Sequence, residues 1–453
     1  VPEQIKTLAL DKEHIPRLLF RYATPAIISM TAASLFNLAD VIFIGRGVNA
    51  MAIAGLSLTL PLMNISAAFG SLIGVGASTL ISVKLGQKDM KTAEIALGNA
   101  VTLNCIIGII YTIAALVFLD PLLHFFGASE QTLPYAREYM QIILAGNVIT
   151  HVYYGLNDNL RASGYPKKAM FATLSAVAVN IILDPLFIFG FKWGIRGAAV
   201  ATVLAQVLAL VILLNHYTNK QSLLRFKQGN FRIRKGMPLN IISVGLAPFL
   251  MNIVSSLVII IINRSFYQFG GDYAVGAYGI ANRMVSFFVM IMFGFNQGMQ
   301  PLAGFNYGAR QYKRVINIFK LTLLCSFCVS VLAFIIAQLF PEAAVSLFTR
   351  DETLARLTIQ GLRIDLVAFP LVSLSMVTSS FFQSIRKPAK AIFLSLTRQV
   401  IFLIPSLLIF PRFFGVTGVW GSMPVSDTAA FIVAAILISK QIKEFRKEYE
   451  ING

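Results

Sequence analysis

Residues 17–44 read RLLFRYATPAIISMTAASLFNLADVIFI, and from Tyr22 to Ile44 the only charge is Asp40. As a helix, those residues extend about 35 Å, enough to cross the hydrocarbon core of a bilayer. Backbone groups in lipid must be bonded internally, so a helix is the form expected. The rest of the chain repeats this pattern. Of 453 residues, 57% are hydrophobic and 13% charged, and the mean hydropathy is +0.73. Soluble domains carry about 25% charged residues, so this composition excludes a soluble enzyme and excludes disorder.

Twelve stretches are long and apolar enough to span. They lie at about 17–44, 52–82, 93–118, 136–160, 167–190, 197–217, 237–263, 274–301, 316–340, 357–384, 389–410 and 417–439. They predict an all-α integral membrane protein. Pro25, Pro61, Pro248, Pro301, Pro370, Pro405 and Pro424 fall inside spans and predict kinks.

The net charge is +18. On a soluble chain that would suggest nucleic acid; here the basic residues punctuate apolar runs and report topology instead. One alternating set of connections holds 26 Lys and Arg, among them Lys84, Lys167, Arg232, Lys313, Lys387 and Lys440; the other set holds 8. By the positive-inside rule both termini are expected in the cytoplasm, in a bacterial inner membrane. The polar opening VPEQIKTLALDKEHIPR is not expected to act as a cleavable signal.

The two halves repeat. ATPAIISM at Pro25 aligns with LAPFLMNI at Pro248, KLGQKDMK at Gly86 with NYGARQYK at Gly308, and GYPKKAMF at Pro166 with RKPAKAIF at Pro388. GIRGAAVA at Gly197 aligns with GVTGVWGS at Gly418, so the offset stays within 221–223 residues. Each half has six spans, which makes the repeat parallel, related by an axis along the membrane normal. The expected organisation is a six-helix lobe at 1–215, a cytoplasmic linker at 216–236 and a second six-helix lobe at 237–453.

Charges inside spans are costly and mark function by default. Asp40 lies six residues before Arg46, Asp184 six before Gly190, and Thr202 five after Gly197. At 1.5 Å per residue all three sit roughly 8–9 Å below the same outer surface. Asn37 and Asn180 lie three and four residues before their aspartates, on the same helix faces. Tyr139, near the outer start of span 4, is placed to reach this layer. Two carboxylates in low dielectric cannot both carry charge cheaply, so one is expected to hold a proton. The same oxygens of Asp40, Asn180, Asp184 and Thr202 could hold sodium, and the sequence leaves that choice open. A buried hydrogen-bonded clamp is the structural alternative.

The acidic pair is not duplicated: Asn263 falls opposite Asp40. The second half has its own charges, Arg283 in span 8, Asp365 in span 10 and Asp427 in span 12. They read either as an ion-paired network or as a second coupling site. Span 8 is rich in Met and Phe; Met284, Met290 and Met292, with Asn263, are candidates to line a soft cavity. Cys325 and Cys328 form a C-x-x-C spacing inside an apolar run without a nearby His and read as packing residues. The four His are widely scattered, and no phosphate-binding loop or nucleophile triad is present, so neither an enzyme nor ATP-driven transport is expected.

PAIISMTAASLFNLADVIFIGR in span 1, KLGQKDMKTAE, LRASGYPKKA and the span 5 string NIILDPLFIFG resemble the multidrug and toxic compound extrusion (MATE) transporters, over essentially the whole chain. Within that family the chain is most similar to the DinF-type bacterial branch. The resemblance implies a V-shaped pair of six-helix bundles that exports lipophilic organic cations in exchange for protons or sodium. No cofactor, metal or nucleic-acid partner is expected, and the chain is expected to act as a monomer. It places the family's span 1 Asp on Asp40, its span 5 Asn and Asp on Asn180 and Asp184, and its span 6 Thr on Thr202. Asp365 falls where the span 10 Asp of NorM-type relatives is expected. Span 7 here, PLNIISVGLAPFLMNIVSSLVIIIIN, lacks their acidic residue, which favours proton coupling. A sodium-coupled antiporter and a lipid-linked sugar flippase of the wider superfamily are the alternatives. For the flippase only Arg283, Arg398 and Arg363 are available to meet a pyrophosphate.

Overall fold

The computed structural model describes residue 10 and residues 13–48, 50–349 and 351–452; the side chains at 37, 38, 41, 45, 46, 50, 449, 451 and 452 fall outside that description. Among the described residues nine helical stretches are long and apolar enough to cross a membrane. Two of them are interrupted by a glycine in the left-handed region, Gly271 (φ 65°) within Met237–Gly308 and Gly415 (φ 56°) within Ile404–Asn452. Each therefore contains two spans. Leu133–Ala145 and Asn147–Ala162 together form span 4, completing the twelve.

The described residues group into two compact units, one built on 28–252 and the other on 14–27 with 253–452. The first half of span 1 thus belongs with the second unit, and span 7 up to Asn252 belongs with the first. Glycines make both attachments close. A Cβ at Gly245 in span 7 would stand 1.7 Å from the Leu72 carbonyl oxygen, and one at Gly76 2.1 Å from that of Ile241. In the second unit, a Cβ at Gly298 in span 8 would stand 2.7 Å from the Ala23 nitrogen.

The repeat is visible in backbone detail. Lys88 (φ 61°) and Arg310 (φ 58°) end spans 2 and 8 in the same left-handed conformation, as Gly164 (φ 99°) and Arg386 (φ 56°) end spans 4 and 10. Short helices Leu119–Phe125 and Pro341–Ser346 follow spans 3 and 9. The core of the first unit gathers Ile44, Leu56, Leu62, Tyr139 and Ile195. That of the second centres on Phe266, stacked with Tyr278 at 5.0 Å and tilted against Trp420 at 4.6 Å. Gly361 leaves the room Trp420 needs: a Cβ there would stand 2.2 Å from the indole.

Helices continue through Pro25, Pro61, Pro411 and Pro424. Pro370 differs from the expected kink. Span 10 breaks into Glu352–Asp365, a 3-10 turn at Leu366–Ala368 and Phe369–Ser384, with Pro370 in the first turn of the new helix, where its missing N–H costs nothing. Spans 5 and 11 each contain a π turn, Leu186–Gly190 directly after Pro185 and Thr397–Leu403 just before Pro405.

Candidate functional site

Span 1 presents Asp40 two turns before the end of helix Ile15–Gly47. Its carboxyl is buried, and Oδ1 has no hydrogen-bond partner. Asn180 and Asp184 stand one turn apart at the end of helix Pro166–Pro185, both fully buried. Asn180 Nδ2 donates to Asp184 Oδ1 at 3.2 Å, while Asn180 Oδ1 and Asp184 Oδ2 have no partner. The π turn that begins at Leu186 directly follows this pair, and such turns often adjoin functional residues.

Asp184 lies within coulombic reach of Asp40. Buried Tyr139 is within electrostatic reach of both carboxylates and lies near the Thr202 side chain. Thr202 Oγ1 donates to the Ala198 carbonyl at 3.0 Å, so its hydroxyl proton is committed along its own helix. Spans 1, 4, 5 and 6 therefore bring buried Asp40, Asn180, Asp184 and Tyr139 and half-buried Thr202 into one layer. Asn37 belongs to the same helix as Asp40, and its side chain lies outside the described residues. Chemically the layer holds three unpartnered acceptor oxygens. A proton or a monovalent cation would complete such a set; among the described residues no group of three or more His, Cys, Asp and Glu gathers to hold a metal.

In the second unit the cation that meets Asp427 is Arg398, whose Nε donates to Asp427 Oδ1 at 2.5 Å. Asp365, at the break in span 10, and Tyr278 lie within electrostatic reach of the pair. Arg283 is exposed. Met292 is fully buried in the hydrophobic core, Met284 packs against that core, and Met290 and Asn263 are half-buried. Nothing in the spacing singled out Arg398 as the partner of Asp427, because the π turn that carries it shifts the helical register.

Two polar links also escape the sequence pattern. Thr150 in span 4 donates to Gln206 Oε1, one turn beyond Thr202. Ser66 Oγ donates to Asn147 Oδ1 at 2.6 Å and lies 2.9 Å from His151 Nε2. The single Ser66 proton is used by Asn147, so His151 donates from Nε2 and keeps its buried Nδ1 as a lone pair. The i,i+4 spacing of Asn147 and His151 was the available signal.

Comparison with known proteins agrees with the twelve-span fold. The multidrug export protein MepA of Staphylococcus haemolyticus is 26% identical over 430 residues, 94% of each chain. A MOP superfamily transporter from Pyrococcus furiosus, described as having a binding pocket of reverse polarity that suggests a different function, superposes with a TM-score of 0.91 at 25% identity, covering 97% of this chain and 98% of that one. An outward-facing multidrug resistance transporter of the MATE family gives 0.91 at 25% identity, covering 96% and 98%. The MatE family model matches twice, at residues 25–186 and 247–408, 222 residues apart like the repeat itself. With both halves matched, the chain belongs to the MatE family, whose members are secondary transporters rather than enzymes.

Proposed function

We propose that this chain is a proton-coupled multidrug efflux antiporter of the DinF-type branch, exporting lipophilic organic cations, with Asp40 as the coupling carboxylate and Asp184 as its partner. The observation that carries this reading is the buried layer in which Asp40 Oδ1, Asn180 Oδ1 and Asp184 Oδ2 have no hydrogen-bond donor. A proton arriving from outside forms an O–H bond on a carboxylate and removes one negative charge. That loss weakens the hold on a cationic substrate, and span 1 rearranges near Pro25. Release of the proton to the cytoplasm restores the charge. Multidrug export, for which the staphylococcal relatives are named, supports the substrate class. The protein acts as a monomer in a bacterial inner membrane, with both termini cytoplasmic, in keeping with the distribution of Lys and Arg.

The same oxygens suit sodium, so the deciding experiment separates the two ions. Fluorescent-cation transport is measured in proteoliposomes under an imposed proton gradient or an imposed sodium gradient, for wild type and Asp40→Asn. Proton-driven transport lost in the variant is expected. Transport driven by sodium alone overturns proton coupling, and an active, still proton-driven Asp40→Asn moves the coupling role to Asp184 or to the Asp365 group.

A further inference from the structure

The 222-residue offset pairs two sites on the cytoplasmic halves of spans 3 and 9. On span 3 the site grips the linker. Asn99 Nδ2 lies 2.9 Å from the Asn230 carbonyl and 3.1 Å from that of Arg232, and Asn99 Oδ1 accepts from the Arg234 backbone at 3.1 Å. Thr102 donates to the Phe231 carbonyl at 2.8 Å, and Lys227 meets Glu94 at 2.5 Å. Gly98 lets the strap approach, since a Cβ there would stand 2.4 Å from the Asn230 carbonyl oxygen.

On span 9 the repeat places Lys320 at the position of Gly98, Leu321 at that of Asn99 and Leu324 at that of Thr102. Each change removes what a peptide strap needs: the open approach and the side chains that bond its backbone. What remains among the described residues is a groove of about 350 Å³ lined by Ile15, Pro16, Asn317, Lys320, Leu321 and Leu324. Ile15 and Pro16 are the repeat counterparts of Met237 and Pro238, the residues that follow the linker. The six residues that line the groove all belong to the second unit.

Asn317, Lys320 and Leu324 are exposed on the outside of a membrane-spanning helix. Lys320 is eight residues into helix Tyr312–Leu339, about 12 Å from its cytoplasmic start. Among the described residues no carboxylate pairs with it. A lysine at this depth directs its ammonium toward the headgroup level, where the available counter-ions are lipid phosphates. We propose that this groove binds an anionic phospholipid of the cytoplasmic leaflet, with its phosphate at Lys320 and Asn317 and an acyl chain along Leu321 and Leu324.

The test is native mass spectrometry of the full chain released from detergent with phosphatidylglycerol, phosphatidylcholine or inorganic phosphate, for wild type, Lys320→Gln and Lys320→Arg. Phosphatidylglycerol is expected to remain bound to wild type and Lys320→Arg, with about fivefold weaker retention in Lys320→Gln, the effect of one juxtamembrane cation. Melting temperature in phosphatidylcholine alone should be the same for all three, which controls for folding. Equal retention of phosphatidylglycerol by wild type and Lys320→Gln overturns the proposal. So does equal binding of phosphatidylcholine, and so does adduct formation with inorganic phosphate alone, which makes the site one for a free ion.

Discussion

Gly245 on span 7 meets the carbonyl oxygen of Leu72 on span 2 so closely that a Cβ would stand 1.7 Å from it. Backbone on backbone leaves no flexible side chain to give way. Gly245→Ala should therefore cost about 3 kcal/mol through overpacking. Gly279→Ala, where a Cβ meets nothing within 4 Å, should stay within about 0.5 kcal/mol of wild type. Thermal unfolding in detergent compares the two.

Asn99→Leu gives span 3 the residue that span 9 carries at the equivalent position. It removes the amide that holds the linker backbone at Asn230, Arg232 and Arg234. The expected loss is about 2–3 kcal/mol, near 1 kcal/mol for each bond. Limited proteolysis should cut within 219–236 faster than in wild type; unchanged cleavage would show that the strap is held by something else.

Asp427 and Arg398 form a pair with the carboxylate buried and the guanidinium about one-third exposed. Breaking a buried pair from one side costs about 3–5 kcal/mol, and the partial exposure of Arg398 lowers that to about 2–3 kcal/mol. Asp427→Leu and Arg398→Met should each destabilise more than the double variant does. A double-mutant cycle with no coupling would refute the pairing.

Asn180→Leu removes the amide that donates to Asp184 Oδ1 at 3.2 Å. Proton-driven transport should fall roughly tenfold, the worth of one charge-assisted hydrogen bond. Binding of a fluorescent cation in detergent should change less. If transport is unaffected, the bond is a helix clamp and not part of coupling.

Asp89 caps span 3. Its Oδ1 accepts from the Thr92 backbone at 3.1 Å, and hydrogen bonding from Thr92, then Lys84, holds its carboxyl below the usual carboxylate range. Because the folded value is the lower one, the stabilisation is complete above the unfolded value and disappears as pH falls through the folded value. Asp89→Ala should cost about 1 kcal/mol at pH 7. The gap between variant and wild type should narrow below about pH 4. A gap independent of pH would show that the charge is irrelevant to the cap.

The spans, their number and the two-fold repeat were legible because hydrophobic length and recurring turn strings are local. Asp40, Asn180, Asp184 and Thr202 were legible because depth along a helix follows from residue counting. Arg398 was not, since the π turn at Thr397–Leu403 changes which side chains share a face. Nor was the break at Leu366–Ala368: Pro370 signals a discontinuity, but tertiary packing decides whether a helix bends or restarts there. Asn99 looked like any polar residue near a span end, and only its distant partners in the linker reveal its work.

The exchanged halves of spans 1 and 7 bear on ancestry. Residues 14–27 complete the unit that the second repeat builds, and residues 237–252 complete the one that the first repeat builds. An ancestor encoded as a single six-span protein would have met its twin by trading leading helices. Gene fusion then needed only a tether long enough to join them. On that history the peptide bond at the linker is dispensable for assembly, and two separately translated halves, each beginning with its own traded helix, should still recognise one another.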